Sequence, residues 1–587
     1  VLLELWYNPT DMSKLFQDRA IPDQCILGIH YNGLFRSSIA LLSLEGEAVF
    51  ASSLETLTRV EQDGRAPLVL MEDLPWEKIS TVAVSTEEFL RKSYTTKSRI
   101  HPNELRNAGL VVREHGPEFK KFFDGLPKSK EYVCHHLSLA HAAFWPSGFE
   151  EAICLVYGDG VPNSPWFGGF YHASRKGGVE PIDLFPAGHY AKMMTLYSMV
   201  TAVLGLTPNR QDGKMIAMAA GGPVNKKCQK ILERVFCNED WNLETAFEWE
   251  GIYSAGKSPR FIVKNELLSE LSKKLEPFEK EEIAATILGL VTTQIVRMLE
   301  GAEKQGLLRS EQICLAGNLF LNSSLNQRIK ELGFKKIFIA PFMSDEGAAW
   351  GAALAVLAKR SDFNPKPLKH VFLGSQFSTE EIENTLKKQS IQFRKGLMDP
   401  REISQFLARG AVVGLFQGAV EFGHCALGNR SILSQATQRR AECLLNQRLG
   451  RDAGAPFYPM TRMEDALQCY PLLKGREEGC EHAAEFMTIS LTSSTWMAEK
   501  TPGVVQGDWT TRPQLIRRDT HPFLHAVLTE YKCMTGLAAV INAPFGMPEG
   551  PLVGTPEEAI QVFLKFHLDY LVFLDAQILV SAQPCSL

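Results

Sequence analysis

Cysteine pairing is the first thing missing from this chain of 587 residues. Its twelve cysteines are scattered without one Cys-x-x-Cys spacing, which excludes a zinc ribbon and a disulfide framework and fits free buried thiols in a reducing cytoplasm. An excess of one charge is missing too. Lys and Arg number 62 against 67 Asp and Glu, a formal net charge of -5, so there is no electrostatic footprint for nucleic acid or an anionic membrane. Long apolar runs are broken. The most apolar tail, Ala559–Ala582, is interrupted by Lys565, His567, Asp569 and Asp575, and reads as a buried helix and strand rather than a membrane span. Val1–Gln24 has no basic segment followed by an apolar core, so no secretory signal is expected.

What is present is ordinary globular material, 45% hydrophobic and 22% charged, long enough for three to four units at about 150 residues each. Cys25–His30 reads as a buried strand and Ser38–Phe50 as a hairpin turning at Glu45 and Gly46. Glu151–Gly160 is a second such strand, ending in a glycine turn, and Trp166–Gly178 again holds a strand and a hairpin turn. The repetition at the start of two lobes points to an α/β, duplicated actin-like (Hsp70-like) fold, whose turns grip nucleotide phosphates through backbone donors.

The stripe Ile283, Ile287, Val291, Ile295 and Leu299 predicts a helix over Glu281–Gln305. A strand from Gln312 then feeds a Gly317–Asn318 turn, with a helix over Ser324–Leu332, a strand over Lys336–Ala340 and a small-residue helix over Ala348–Lys359. The polar, proline-bearing run Lys359–Lys369 is the expected linker, dividing the chain into 1–365 and 366–587. Beyond it come a helix over Ser378–Gln389 capped by Ser378, and a strand over Ala411–Phe416.

The most informative stretch is Gln417–Ile432, QGAVEFGHCALGNRSI. Gly418 and Gly423 let backbone approach a ligand closely, and Asn429, Arg430 and Ser431 offer donors for phosphate oxygens. The stretch resembles the Gln-Gly-Arg-x-Glu-Phe-Gly-Pro-Arg-Ala-Leu-Gly-Asn-Arg-Ser-Ile box of the ATP-dependent O-carbamoyltransferases, which modify nodulation factors, antibiotics and toxins. Further boxes stand in the family's order: His135–Phe149, Asp159–Gly160, Lys214–Met215, Gly317, Asn322, Asp345 with Gly347, Arg451, Asp508 to Gln514, and Asn542. The resemblance runs from about Ile26 to Phe573.

That resemblance implies two domains. The first is similar to the subunit that attaches threonylcarbamoyl to transfer RNA, and the second to the partner that makes the activated adenylate. ATP and carbamoyl phosphate would form carbamoyl adenylate in the second, sheltered from hydrolysis, for transfer to a hydroxyl of a small natural product in the first. The catalytic candidates are Arg430, Arg512 and Arg451, suited to bidentate phosphate contacts, with Asp508 and Thr510 to orient Arg512 or bind the metal-nucleotide, and Asn542 as a donor. Nucleotide contacts fall on Lys214, Asp159, Gly160, Gly317, Asn322, Asn429 and Ser431. A divalent metal, iron or magnesium, would be held by His135, His141 and Asp345. No nucleic acid or membrane partner is implied, and at most a second copy of the chain.

The chain also departs from the family pattern. Ala419 and Cys425 replace two arginines, His424 a proline, and Leu139 the second helix histidine, with His141 two residues later. Phe35 and Arg36 align with the family's first-lobe His-Asp, for which His30 is a substitute base. Two readings therefore stay open: an active transferase, with carbamoyl phosphate or a less anionic acyl donor, and a paralogue that binds nucleotide or a partner without making the adenylate. Gly251–Ser258 matches the P-loop expression, but Glu248–Glu250 before it and Pro259 after it deny the strand and helix that the loop needs.

Overall fold

The computed structural model describes residues 19–31, 36–60, 63–86, 122–158, 166–208, 211–237, 247–250, 260–263, 265–437, 439–452, 455–548 and 550–582. Phe35, Asp159, Gly160 and the P-loop lookalike at 251–258 lie outside the described residues. The chain divides into two units, Val1–Pro367 and Leu368–Leu587.

The first unit holds two five-stranded mixed sheets with one strand plan. In the first sheet the order is Ala48–Ser53, Ser38–Ser43, Cys25–His30, Ile79–Ser85, Lys130–Val133. In the second it is Gly178–Pro186, Trp166–Ser174, Glu151–Tyr157, Gln312–Ala316, Lys336–Ile339. In each, the first strand in sequence lies antiparallel to its hairpin neighbour and parallel to the strand on its other side. Both expected hairpins are present. Cys25–His30 is buried along its whole length, as a strand covered on both faces should be.

The helix Gly347–Leu357 is buried at every residue. Its small side chains let backbones meet: a Cβ on Gly351 would stand 1.7 Å from the carbonyl oxygen of Ser138 in the helix His135–Phe144. Close packing of these two helices sets His135 beside the Ser344–Glu346 turn that opens the second helix. The helix Lys280–Lys304 buries the expected stripe, from Ile283 to Leu299, against its unit.

The second unit is built on one eight-stranded sheet in the order Arg394–Lys395, Ile578–Ser581, Tyr570–Phe573, Val413–Phe416, Arg430–Gln435, Ala539–Pro544, Tyr458–Arg462, Gln514–Ile516. Val413, Leu415, Leu433, Met460, Val540 and Val572 pack with Leu524, Val527 and Tyr531 of the helix Pro522–Thr535 and with Ile403 and Leu407 of Pro400–Ala408. Ser378 and Glu381 form a capping box on the helix Thr379–Lys388. The apolar tail is a helix, Pro556–Lys565, and two strands of this sheet.

Candidate active site

In the second unit, the segment between the antiparallel strands Val413–Phe416 and Arg430–Gln435 is organised by two buried charged side chains. Glu421 Oε1 accepts from the amides of Leu427, Asn429 and Arg430, each at 2.9 Å. Arg430 is fully buried. Its guanidinium donates to the carbonyls of Gln417 (2.6 Å), Asn429 (3.0 Å), Gly418 (3.1 Å) and Val553 (3.2 Å). Burial pushes it down to about 10, against the opposing pull of Glu421, Asp575 and Glu558. Asn429 donates to Ala419 O at 2.8 Å, and Ser431 Oγ accepts from Gly428 N at 3.0 Å. The Arg430 guanidinium and the Asn429 amide, expected to present donors to phosphate, here bond the segment's own carbonyls. Their described bonds close the segment on itself, because a buried loop must find partners for its own carbonyls and amides.

Asn542 also belongs to the frame. Its amide donates to Ala426 O at 2.9 Å and Gln514 Oε1 at 2.8 Å, while Gln514 donates to Leu427 O at 2.7 Å. The pair holds the Cys425–Leu427 stretch over the sheet. Asp508 accepts from Thr510 N (3.0 Å) and Oγ1 (2.8 Å), closing an exposed turn. Arg512 shares in neither bond, so the expected orientation of Arg512 by Asp508 is corrected as well.

Two arginines remain at half-buried positions. Arg512 donates to the carbonyl of Met487 and to Cys425 Sγ, the latter at 3.0 Å. Its guanidinium lies 5.8 Å from the centre of the Tyr458 ring. Arg451 stands 4.4 Å over the Phe457 ring and donates to Pro456 O at 3.1 Å. Burial pushes the Tyr458 phenol up, while Arg512 and Arg451 pull it back. Tyr458 faces Asn542 across the antiparallel pair. Among the described residues, no carboxylate is paired with Arg512. Two guanidinium groups beside a protonated phenol suit an anionic, phosphate-bearing ligand.

In the first unit, the turns after the paired strands Glu151–Tyr157 and Gln312–Ala316 come together. Gly317 has φ +110°, and a Cβ there would stand 2.1 Å from Tyr157 O, so only glycine fits. Asn322 caps the helix Ser323–Lys330, accepting from Leu325 N at 3.1 Å. Lys214 is half-buried in the helix Asp212–Ala219.

His135 Nε2 lies 3.4 Å from Asp345 Oδ1. His141 does not join them. Its Nδ1 accepts from Trp145 Nε1 at 2.9 Å, and burial, with Lys359 adding to it, pushes the ring down to about 3. Six residues along a helix turn a side chain through about 600°, away from the face that bears His135. His30 takes the nearby place instead, its ring centre 5.1 Å from that of His135. Burial, then His135, pushes His30 down to about 3, against Asp345 and Glu346. Among the described residues, no three His, Cys, Asp or Glu side chains form a group able to hold a metal ion. Beside Asp345 stands Arg36, which donates to Ser344 Oγ at 3.0 Å and Glu346 Oε2 at 3.3 Å. The expected set of His135, His141 and Asp345 therefore does not fit a shared ion.

Sequence reasoning passed over Glu421, Tyr458 and the pairing of Arg36. Glu421 stood inside the quoted box, and Tyr458 directly follows Pro456 and Phe457. The Arg36 partners lie some 310 residues away, beyond any local signal.

The description "Carbamoyltransferase N-terminus" matches residues 78–354, and "Carbamoyltransferase C-terminus" matches 404–579. Nodulation protein NolNO of Sinorhizobium fredii is 25% identical over 570 residues, 92% of this chain and 78% of that one. The 3'-hydroxymethylcephem-O-carbamoyltransferase of Streptomyces clavuligerus is 25% identical, over 62% of this chain and 64% of its own. Uncharacterized protein MJ1058 of Methanocaldococcus jannaschii is 27% identical, over 80% of this chain and 75% of its own. With both halves matched in order, the chain belongs to the carbamoyltransferase family.

Proposed function

We propose that this protein is an ATP-dependent O-carbamoyltransferase acting on a hydroxyl of a small natural product. The reading rests on Arg512, which is half-buried, bonded to Cys425 of the Gln417–Ser431 segment and set near the Tyr458 ring, with Arg451 over the adjoining Phe457. Carbamoyl phosphate and ATP meet there. Water cleaves carbamoyl phosphate to carbamate and inorganic phosphate, and a carbamate oxygen then attacks the α-phosphorus of ATP, forming carbamoyl adenylate as pyrophosphate leaves. Arg512 and Arg451 bind the phosphates, and the Tyr458 phenol donates to an oxygen between them. The adenylate is consumed in the first unit, an actin-like pair of lobes by its repeated strand plan. There the acceptor oxygen attacks the carbamoyl carbon and AMP leaves, with the backbone around Gly317 lying against the nucleotide.

The replacement of two family arginines by Ala419 and Cys425 favours a second reading, in which the acyl donor is less anionic than carbamoyl phosphate. Pyrophosphate release from ATP tests both. Release that requires carbamoyl phosphate supports the first. No release with it, and release with a neutral or singly charged acyl donor, selects the second. No release with any donor leaves a nucleotide-binding paralogue.

A further inference from the structure

Arg36, which the family resemblance sets against a first-lobe carboxylate, has a backbone φ of +46°, a conformation uncommon for residues other than glycine. What holds it is the turn 344–346. Nη1 donates to Ser344 Oγ at 3.0 Å and to Glu346 Oε2 at 3.3 Å. Ser344 Oγ in turn donates to Glu346 Oε2, and Ser38 Oγ donates to the backbone carbonyl of Glu346 at 2.9 Å. The side chains of Arg36 and Glu346 are 14% and 4% exposed, so the pair is shielded from solvent screening. Between Ser344 and Glu346 lies Asp345, whose carboxylate is 3.4 Å from His135 Nε2. The neighbouring imidazoles of His30 and His136 are buried, and both nitrogens of His30 lack a described partner.

A divalent ion between His135 and Asp345 would sit close to this fixed guanidinium and be repelled by it. It would also lack the helix ligand that Leu139 has displaced. We propose that Arg36 is the resident cation of this pocket, standing in for a metal ion and excluding one. The cation of the first unit is thus covalently part of the chain, and its positive charge does not depend on metal supply. This inference concerns ion occupancy alone and does not need the transferase reading to hold.

The test is metal uptake by the full chain. The protein is dialysed separately against Fe2+ (anaerobically), Mn2+ and Zn2+, desalted, and analysed for bound metal by mass spectrometry, beside the variants Arg36→Asp and Arg36→Met. The wild type is expected to retain less than about a tenth of an equivalent. Arg36→Asp removes the cation and adds a carboxylate, and should approach one equivalent of Zn2+ or Fe2+, lost again when His135→Ala is added. Arg36→Met, uncharged and matching the unbranched stem, should gain affinity of at least about tenfold, and serves should the aspartate variant fail to fold. One equivalent in the wild type, removed by His30→Ala or His135→Ala, overturns the proposal in favour of an ion shared by His30, His135 and Asp345. A wild type and variants that all stay metal-free overturn the role given to Arg36, since the missing helix histidine would then suffice.

Discussion

The guanidinium of Arg430 sits over the Phe416 ring, its carbon 3.6 Å from the ring centre, while its N–H groups serve four backbone carbonyls. A cation buried this way is a strut of the Gln417–Ser431 segment. Arg430→Lys keeps the charge but one ammonium cannot reach carbonyls spread over Gln417, Gly418, Asn429 and Val553. Breaking a buried charged network of this kind costs about 3–5 kcal/mol, on the order of 10 °C in the melting of a unit this size. Calorimetry of both Arg430→Lys and Arg430→Ala checks it. An unshifted melting point with lost pyrophosphate release would make Arg430 a substrate contact after all.

Arg512 should behave in the opposite way. It is half-buried, and it bonds one carbonyl, the Cys425 thiol and the Tyr458 phenol rather than a carboxylate, so the fold loses little without it. Loss of a bidentate phosphate contact is worth about 3–4 kcal/mol, or roughly a hundredfold to a thousandfold in rate. Arg512→Ala is expected to lower carbamoyl-phosphate-dependent pyrophosphate release by that factor with melting shifted by less than about 3 °C. Wild-type turnover in this variant would remove Arg512 from the site.

Sequence reading recovered what is periodic or locally punctuated. The strand Cys25–His30, the helix stripe from Ile283 to Leu299 and the Ser378 cap each depend on neighbours within a few residues. It could not show which way Asn429 and Arg430 turn, because residue type shows a donor's capacity but not its direction. Whether a guanidinium faces a ligand or the carbonyls behind it is decided by Val553, more than a hundred residues on. His141 failed for a related reason. Two residues of helix move a side chain about 200° around the axis, so proximity in the string became separation in space.

Glu485 gives a pH signature in the second unit. Burial pushes its carboxyl up to about 7, opposed by Arg517 and reinforced by Asp519 and Glu481. The unfolded chain gives up this proton near pH 4.5 and the folded chain near 7. Its contribution is thus present below the unfolded value and is lost as pH rises through about 7. Glu485→Gln removes the titration and should make the protein more stable than wild type at pH 8 by roughly 2 kcal/mol, with little difference at pH 4.5. Urea midpoints at the two pH values decide it: equal gaps at both would mean that Glu485 is charged at little cost.

Acid acts through His141 with the reverse sign. The Trp145 indole donates to its Nδ1, an interaction that requires an unprotonated nitrogen, and burial pushes the ring down to about 3 from an ordinary value of 6.5. The folded protein therefore refuses a proton that the unfolded chain accepts. Stability from this group is complete above pH 6.5 and drains away as pH falls toward 3, the loss reaching roughly 3 kcal/mol at pH 4. A glutamine offers the indole an acceptor oxygen and does not titrate, so His141→Gln should flatten this part of the acid limb while His30 and His136, also pushed down to about 3 by burial, keep the rest. The comparison of urea midpoints at pH 7 and pH 4.5 isolates the residue. If the variant loses as much stability on acidification as the wild type, His141 is protonated in the folded state, and the indole bond that keeps it from Asp345 is not formed.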